Sequence, residues 1–362
     1  MFSLLSQGTV DVKPLLSNCC SMQPADDEDE ECTEPLTHPD LPMAMMRSPL
    51  LPRPATNTPA AANTLRARFK TPGVTPSRYV GPAVTPSRYA DYQGDKYNLL
   101  TVLGKGAFGL VTLMRRADDG ALVAMKTVDR YRLTSAHLRQ TVVREIDILQ
   151  ALPHHAGIVA LLEVIETARS IHMVMEYCDD GTLQALLVRE GALSEARARP
   201  FVSMLMDAIA HLHAHRVCHR DLKLDNCVLT KPDGEKGGGS MLRLIDFGLS
   251  TTWKEGAPPL RRFCGSLCYA APEVLRRRYY GAQADAWSLG VCVCAMLGGT
   301  LPFQAADEEG LRSLVLAGTY ELPTRDRLSL DSRNLISGLL MLDADERLTV
   351  AGARDHGWLR QE

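Results

Sequence analysis

The chain changes character near residue 95, and this change restricts any folded domain to the part that follows. Thirteen of the 21 prolines lie before that point, where the sequence has almost no periodic apolar pattern. Such a segment cannot bury enough apolar surface to offset the entropy that it would lose on ordering. We therefore predict a disordered, proline-rich tail over residues 1–95 and a folded domain over residues 96–360.

The predicted tail is divided by charge and contains a doubled short motif. Residues 26–31 are acidic and residues 47–88 are basic, and VTPSRY occurs at residues 74–79 and again at residues 84–89. A short unit that occurs only twice is better interpreted as a doubled linear motif than as a solenoid repeat. We hypothesise that proline-directed kinases phosphorylate Thr75 and Thr85, since each phosphate adds about −1.5 to −2 charges.

Composition and charge argue against several classes of protein. A net charge of −3 gives no case for bulk nucleic-acid binding. The longest apolar run, residues 287–301, is too short and too rich in glycine to span a bilayer, so we predict a buried core helix there. The ten cysteines are scattered and no signal peptide begins the chain, which indicates reduced thiols in the cytoplasm or nucleus. We expect a monomer with no membrane or nucleic-acid partner.

Regular patterns begin at Tyr97. Strands are predicted over residues 97–103, 109–115, 121–128, 159–166 and 171–177, with one helix over residues 135–152. Beyond Gly181 helical patterns dominate. This order predicts an α+β fold with a small β-rich lobe (residues 96–177) that carries one main helix, and a larger, mainly helical lobe (residues 181–360).

A glycine-rich turn and a lysine on the next strand indicate a phosphate site. GKGAFGLV, residues 104–111, lies between two predicted strands, which argues against a dinucleotide-binding unit but leaves a simple hairpin possible. Strand alternation places Ala124 and Lys126 on one face. A solvated lysine is the alternative. Glu145 shares a helical face with apolar residues and needs a partner there, so we predict a Lys126–Glu145 ion pair; an exposed glutamate at the edge of that face is the other possibility.

Three further motifs follow in order: HRDLKLDN at residues 219–226, DFG at 246–248 and APE at 271–273. With the glycine-rich turn and Lys126, this set resembles the eukaryotic protein kinase family, of serine/threonine type because of Lys223. GTLPF at residues 299–303 and HGWL at 356–359 resemble the calcium/calmodulin-dependent and AMP-activated kinase branch. The resemblance covers about residues 97–358 and implies a bilobal kinase fold.

The resemblance also implies cofactors and roles. ATP and Mg²⁺ are the expected cofactors and proteins the expected substrates, as in a signalling kinase. Asp221 would be the catalytic base, Lys223 would neutralise the transferred phosphoryl group, and Asn226 and Asp246 would bind Mg²⁺. The expected nucleotide site is formed by Leu103, Gly104, Lys105, Gly106, Gly109, Val111, Ala124, Lys126, Glu145, Met175, Glu176 and Cys178.

The segment RRFCGSLCYAAPE, residues 261–273, resembles the end of a kinase activation loop. We expect Ser266 to lie against Asp221 and Lys223. Arg262 stands where AMP-activated-kinase-like relatives carry the activating threonine, so Arg220 lacks its usual phosphate partner. Our hypothesis is a loop that is ordered without phosphate, with Thr251 or Thr252 as alternative phosphate sites. Asp285 is expected to brace the catalytic loop, and Arg347 to pair with Glu273.

Substrate selectivity is expected to depart from that of arginine-directed relatives. Three positions that often carry acidic residues are here Thr182, Asp225 and Ala295, so only one acid remains, although Asp179 and Asp180 lie near the first position. Two other functions are considered besides an active kinase: a pseudokinase scaffold, and a docking platform formed by the tail. The complete set of catalytic motifs argues against the scaffold.

Overall fold

The computed structural model describes residues 94–105, 109–231, 239–253, 264–277, 281–322 and 328–360. Gly106, both copies of VTPSRY and the tail up to residue 93 lie outside these ranges. Within them, no helix is long and apolar enough to cross a membrane. The seven cysteines among these residues form no disulfide bond with one another.

The smaller lobe is built on a five-stranded antiparallel sheet with strand order β1-β2-β3-β5-β4. Alternating apolar residues and the turn at Gly120, whose φ is +73°, produce its consecutive hairpins. The predicted strands are present, with small shifts at their ends. The strands are β1 (Tyr97–Lys105), β2 (Gly109–Arg116), β3 (Leu122–Asp129), β4 (Leu161–Glu166) and β5 (Ser170–Glu176).

Helix α1 (Ala136–Ala151) packs beside this sheet and carries Glu145. The Ser135 hydroxyl accepts a hydrogen bond from the Leu138 amide, so the predicted first residue serves as the N-cap. Val142 packs against the sheet in the small-lobe core, whereas Ile148 and Leu149 belong to the core of the larger lobe. One helix therefore contacts both hydrophobic cores.

Strand β4 begins two residues later than predicted, at Leu161, and Val159 takes its hydrogen-bond partner from outside β5. The Val159 amide donates to the carbonyl of Leu244 in the larger lobe, and Ala160 accepts from the Glu176 amide. The Ala160 bond continues the register of β4 with β5, whereas the bond of Val159 to Leu244 takes the chain away from that ladder. The segment from Gly157 to Ala160 is thus bonded to the end of β5 and to the larger lobe.

The larger lobe is mainly helical, as predicted, and surrounds the buried helix α5. Residues 282–298 form α5, which ends at Gly299 in a left-handed conformation with φ +72°. Trp287 is fully buried on α5 and stacks on Phe303. The helices are α2 (Leu183–Glu190), α3 (Glu195–Ala214), α4 (Pro272–Leu275), α5 (Ala282–Gly298), α6 (Glu308–Ala317), α7 (Leu330–Leu339) and α8 (Val350–Arg354), and the short strands are β6 (Val217–Cys218), β7 (Cys227–Thr230), β8 (Met241–Leu244) and β9 (Thr251–Thr252).

Candidate active site

The glycine-rich turn leaves β1 and enters β2 where the chain passes very close to β3. A β-carbon placed on Gly109 would lie 1.7 Å from the carbonyl oxygen of Thr127, so only glycine fits there. Across the sheet, Val111 lies opposite Lys126, and Ala124 lies opposite Met175. The register therefore places the predicted nucleotide residues of three neighbouring strands side by side.

The predicted hinge follows β5. The carboxylate of Glu176 accepts a hydrogen bond from the Ala160 amide at 2.9 Å and pairs with Arg243 at 3.3 Å. Its side chain therefore serves to hold the lobes at their junction. Cys178 is half-buried just beyond it, and burial raises the pKa of its thiol to about 12. Leu103 is exposed near the end of β1, and Gly104 and Lys105 complete that strand.

Lys126 is shared between two carboxylates. Its Nζ lies 2.6 Å from Oε1 of Glu145, which is the predicted ion pair, and 3.3 Å from Oδ1 of Asp246. Burial alone would lower the pKa of Lys126, but the two carboxylates raise it above its usual value. The positive charge of Lys126 in turn lowers the pKa of Asp246. Burial raises the pKa of Glu145 above its ordinary value, and the charge of Lys126 opposes that shift. The Lys126 amine thus lies between a carboxylate on α1 and the carboxylate of Asp246.

The catalytic loop concentrates its hydrogen bonds on Asp221. Lys223 Nζ lies 2.6 Å from Asp221 Oδ2, and Asn226 Nδ2 donates to the Asp221 carbonyl at 2.8 Å. The amide and hydroxyl of Ser266 both donate to Asp221 Oδ1, at 3.1 and 3.0 Å. Lys223 also donates to the Ser266 hydroxyl at 3.1 Å, so the serine lies against both residues, as predicted. These contacts hold a buried carboxylate and a cation side by side in fixed positions.

Asp285 on α5 accepts hydrogen bonds from the backbone of this loop. Its carboxylate accepts from the amides of His219 and Arg220, both at 2.9 Å, and lies 2.9 Å from Nε2 of His213. Burial would raise the pKa of Asp285, but the hydrogen bond and charge of His213 lower it below its ordinary value. Arg220 takes a left-handed φ of +71°, which is unusual for this residue type. The predicted bracing role of Asp285 thus has a direct geometric basis.

Comparison with known proteins identifies this arrangement. The protein kinase domain family matches residues 97–359, almost three quarters of the chain. The chain belongs to the protein kinase family. The small β-rich lobe, the helical lobe and the order of the motifs are those that the resemblance predicted.

The kinase domain is similar to several curated serine/threonine-protein kinases. It is 36% identical over 265 residues to the probable serine/threonine-protein kinase MARK-A of Dictyostelium discoideum, covering 73% of this chain and 24% of that protein. It is 36% identical over 267 residues to serine/threonine-protein kinase SIK1 of Rattus norvegicus (74% and 33%), and 34% identical over 267 residues to SIK2 of Gallus gallus (74% and 32%). The match thus spans a quarter to a third of the length of these relatives.

The end of the activation segment is bonded to the catalytic loop at successive residues of the kinase domain. Nη2 of Arg220 donates to the Sγ of Cys264 at 2.6 Å. Gly265 has φ +95°, and a β-carbon there would lie 2.6 Å from the carbonyl oxygen of Arg220. Farther on, Arg347 forms a bidentate pair with Glu273 at 2.6 and 2.9 Å, as predicted. Arg262 and the rest of residues 254–263 lie outside the described residues.

The two upstream threonines occupy the short strand β9. Thr251 pairs with Cys218 of β6 and is 8% exposed, whereas Thr252 is exposed and pairs with Val217. Phosphorylation of Thr251 would therefore require β9 to separate from β6. Only Thr252 of the two is accessible in this conformation.

Positions expected to read the substrate have structural roles in the kinase domain. Thr182 caps α2 by accepting from the Ala185 amide, and Ala295 is buried on α5. Asp179 accepts from the Lys231 amide, and Asp180 from the Ser240 hydroxyl, so both are bonded to the β7–β8 hairpin. Asp225 is exposed next to Asn226 in the catalytic loop, and Asp179 is exposed as well.

The contacts of the site that were not predicted include three between distant side chains: His213 with Asp285, Arg243 with Glu176, and Cys264 with Arg220. Each pair is far apart in the chain, with separations of 72, 67 and 44 residues. None belongs to a motif with a defined spacing. The only available signal was the placement of Cys264 beside Gly265 and Ser266, in a segment already expected to contact the catalytic loop.

Proposed function

We propose that this chain is an ATP- and Mg²⁺-dependent serine/threonine protein kinase that transfers the γ-phosphate to hydroxyl groups of protein substrates in signalling. The observation that carries this proposal is the position of Asp221, whose carboxylate is held by Lys223, Asn226 and Ser266. The same domain also contains Lys126 bonded to both Glu145 and Asp246. Similarity to serine/threonine-protein kinases supports the choice of serine and threonine.

The nucleotide half of the site fits ATP. Lys126 lies opposite Val111 of β2 and is bonded to Glu145 at 2.6 Å, and its amine would bind phosphate oxygens of the nucleotide. Asp246 offers a carboxylate kept ionised by Lys126, and Asn226 offers an amide oxygen because its nitrogen donates to Asp221. Magnesium bound by these oxygens would neutralise phosphate charge.

The donor set also fits Mg²⁺ rather than a metal held by protein alone. Among the described residues, no group of three His, Cys, Asp or Glu side chains could hold a metal ion. Magnesium is usually held by one or two carboxylates together with substrate phosphates and water. Asn226 and Asp246 provide such an incomplete set.

The part of the site around Asp221 would bind and orient the acceptor hydroxyl of the substrate. Asp221 would accept the proton of the serine or threonine and orient the oxygen towards the phosphoryl group. Lys223, which lies 2.6 Å from Asp221, would stabilise the negative charge of the transferred group. Ser266 positions both residues by bonding to each.

The proposal is tested with a positional peptide library and the full-length chain. Wild type should phosphorylate serine and threonine peptides, and Asp246→Asn should lose at least about 10²-fold in kcat/KM if it holds the metal. Asp119→Asn, in the exposed β2–β3 turn, is the matched control and should match wild type. If wild type and Asp246→Asn are equally silent, the proposal fails.

A further inference from the structure

An open groove of about 380 Å³ lies at the C-terminal end of α1, between that helix and β4. We call it the α1–β4 groove. Its lining mixes apolar and polar groups, among them Leu152, Leu161, His154, His155 and Glu163. It contains none of the predicted catalytic or nucleotide residues. A mixed surface of this kind suits a peptide with amphipathic side chains better than a purely aliphatic ligand.

The described chain begins at the rim of this groove. Lys96 Nζ and the Tyr97 hydroxyl both donate to Oε2 of Glu163, at 2.7 and 2.8 Å. Glu163 also lines the groove. These two bonds fix the point at which the 93 residues before Gly94 join the kinase domain.

The segment immediately upstream has the reach and the chemistry to enter the groove. It reads VTPSRYADY over residues 84–92 and provides two tyrosines, Tyr89 and Tyr92, within seven residues of Lys96. At ~3.3–3.6 Å per residue, a chain of seven residues spans up to ~25 Å. Tyrosine combines a large apolar ring with a polar hydroxyl, and such side chains bind surfaces that are both apolar and polar.

We propose that residues 84–92, which include the second VTPSRY copy, dock in the α1–β4 groove of the same chain. This inference concerns regulation and goes beyond the proposed catalytic activity. It rests on the position of Lys96 and Tyr97 and on the groove itself.

Because residues 84–92 are covalently joined to the kinase domain, a weak contact with the groove is sufficient for docking. A segment joined by a short linker has an effective concentration of about 1 mM at its site. An intrinsic Kd of about 100 µM would then give about ten docked molecules for each undocked one. Such an affinity requires no deep pocket, only a few side chains that match the groove.

Docking would act on the catalytic site through hydrogen bonds that the structure shows. The floor of the groove includes Val159 and Ala160. The Val159 amide donates to Leu244, two residues before Asp246, and the Ala160 amide donates to the carboxylate of Glu176 at the predicted hinge. A peptide that immobilises this floor would stabilise the present arrangement of hinge, β8 and α1.

Hydrogen exchange measured on the full-length chain tests the proposal independently of catalysis. The readout is the exchange rate of peptides covering residues 150–162. The tail variant is Tyr89→Ser with Tyr92→Ser, and its control is Tyr79→Ser in the first VTPSRY copy. The groove variant is Leu162→Glu, whose side chain is 49% exposed, and its control is Val143→Glu on α1, which is 50% exposed and lies outside the groove.

We expect the tail and groove variants each to raise the exchange rate about ten-fold, while both controls retain the slow exchange of wild type. Equal exchange in wild type and the double tyrosine variant overturns the proposal. Exchange that rises as much in Tyr79→Ser as in Tyr89→Ser alone overturns the assignment to residues 84–92. Protection that grows with protein concentration and survives in the double variant shows a second copy in the groove, which also overturns it.

Discussion

The thiol of Cys264 lies 2.6 Å from the guanidinium of Arg220, so the end of the activation segment is bonded directly to the catalytic loop. Arg220 is the residue that the family resemblance assigns to an activating phosphate. Here it contacts a side chain of the loop itself. The next two residues also contact the catalytic loop. Gly265 lies close to the carbonyl oxygen of Arg220, and the Ser266 amide donates to the carboxylate of Asp221. The loop end is thus anchored by a contact between two side chains of the chain itself, and we still expect it to be ordered without phosphate.

A double-mutant cycle measures this anchor. Cys264→Ala and Arg220→Gln should each lower kcat/KM several-fold, because each loosens Ser266 on Asp221. If the residues act together, the double variant should be little worse than either single one. The coupling energy is expected to be about 1–2 kcal/mol. Additive effects in the cycle would show that the thiol does not act through Arg220.

Activity is expected to survive phosphatase treatment. Thr251 is buried in the β6–β9 pair, and no phosphate is needed for the Cys264–Arg220 contact. Wild type should therefore keep at least about half of its initial rate after dephosphorylation, and Thr252→Ala should behave in the same way. Complete loss of activity after phosphatase, reproduced by Thr252→Ala, would contradict a loop that is ordered without phosphate.

The buried Lys126–Glu145 ion pair is expected to contribute far more to stability and to kcat than a similar pair at the surface. Glu145→Gln removes a charge that is 4% exposed beside a lysine that is 15% exposed. We expect the free energy of unfolding to fall by about 2–4 kcal/mol, since the buried Lys126 loses the nearer of its two carboxylate partners, and kcat to fall at least about ten-fold. Glu166→Gln at an exposed pair with Arg130 is the matched control, with a change below ~0.5 kcal/mol. Urea unfolding and steady-state kinetics give both quantities.

The Arg347–Glu273 pair is expected to contribute to stability rather than to chemistry. Arg347 is fully buried at its side chain and also donates to the carbonyls of Gln283 and Met341. Arg347→Met should cost about 3–5 kcal/mol of unfolding free energy. Arg354→Met, at a surface pair with Asp207, should cost less than ~1 kcal/mol. Similar losses in the two variants would argue against a special role for the buried pair.

The lowered pKa of Asp285 predicts that the folded state loses some stability in acid. Its pKa in the folded state lies below the ordinary value of 3.8, so the unfolded chain binds the proton more readily. The stabilisation is complete at pH values well above 3.8 and is lost as the pH falls through the folded-state pKa. Asp285→Asn should therefore be less stable than wild type at pH 7, with a difference that shrinks below about pH 4. Urea unfolding at pH 3 and pH 7 checks this, and a constant difference would exclude the linkage.

Much of the fold could be predicted because local patterns and motif spacing both carried it. Alternation along β1 to β3 and the helical face of Val142, Glu145 and Leu149 gave the elements of the small lobe to within one or two residues at most ends. The Lys126–Glu145 ion pair could be predicted because a carboxylate on an apolar helical face is costly to bury without a charged partner. Family resemblance then supplied Asp221, Lys223 and Ser266, whose contacts depend on residues more than 40 positions apart.

What the sequence could not show are contacts made by residues with no fixed spacing. His213 lies at the end of α3, and nothing in its neighbourhood indicates that it reaches Asp285. The late start of β4 has a similar cause, since Val159 suits a strand but takes its partner from β8. A local pattern specifies how a residue is exposed along its own element; it does not specify which distant backbone group competes for its amide.

The bonds of Val159 and Ala160 also change where the two lobes divide. Although these residues precede β4 in the chain, their hydrogen bonds hold them to β8 and to the end of β5, and Ile148 and Leu149 pack in the larger core. The C-terminal end of α1 is therefore anchored in the larger lobe, while Val142 near its middle packs on the small sheet. If the small lobe rotated, α1 would pivot about that anchored end. The rotation would then change the distance between Glu145 and Lys126.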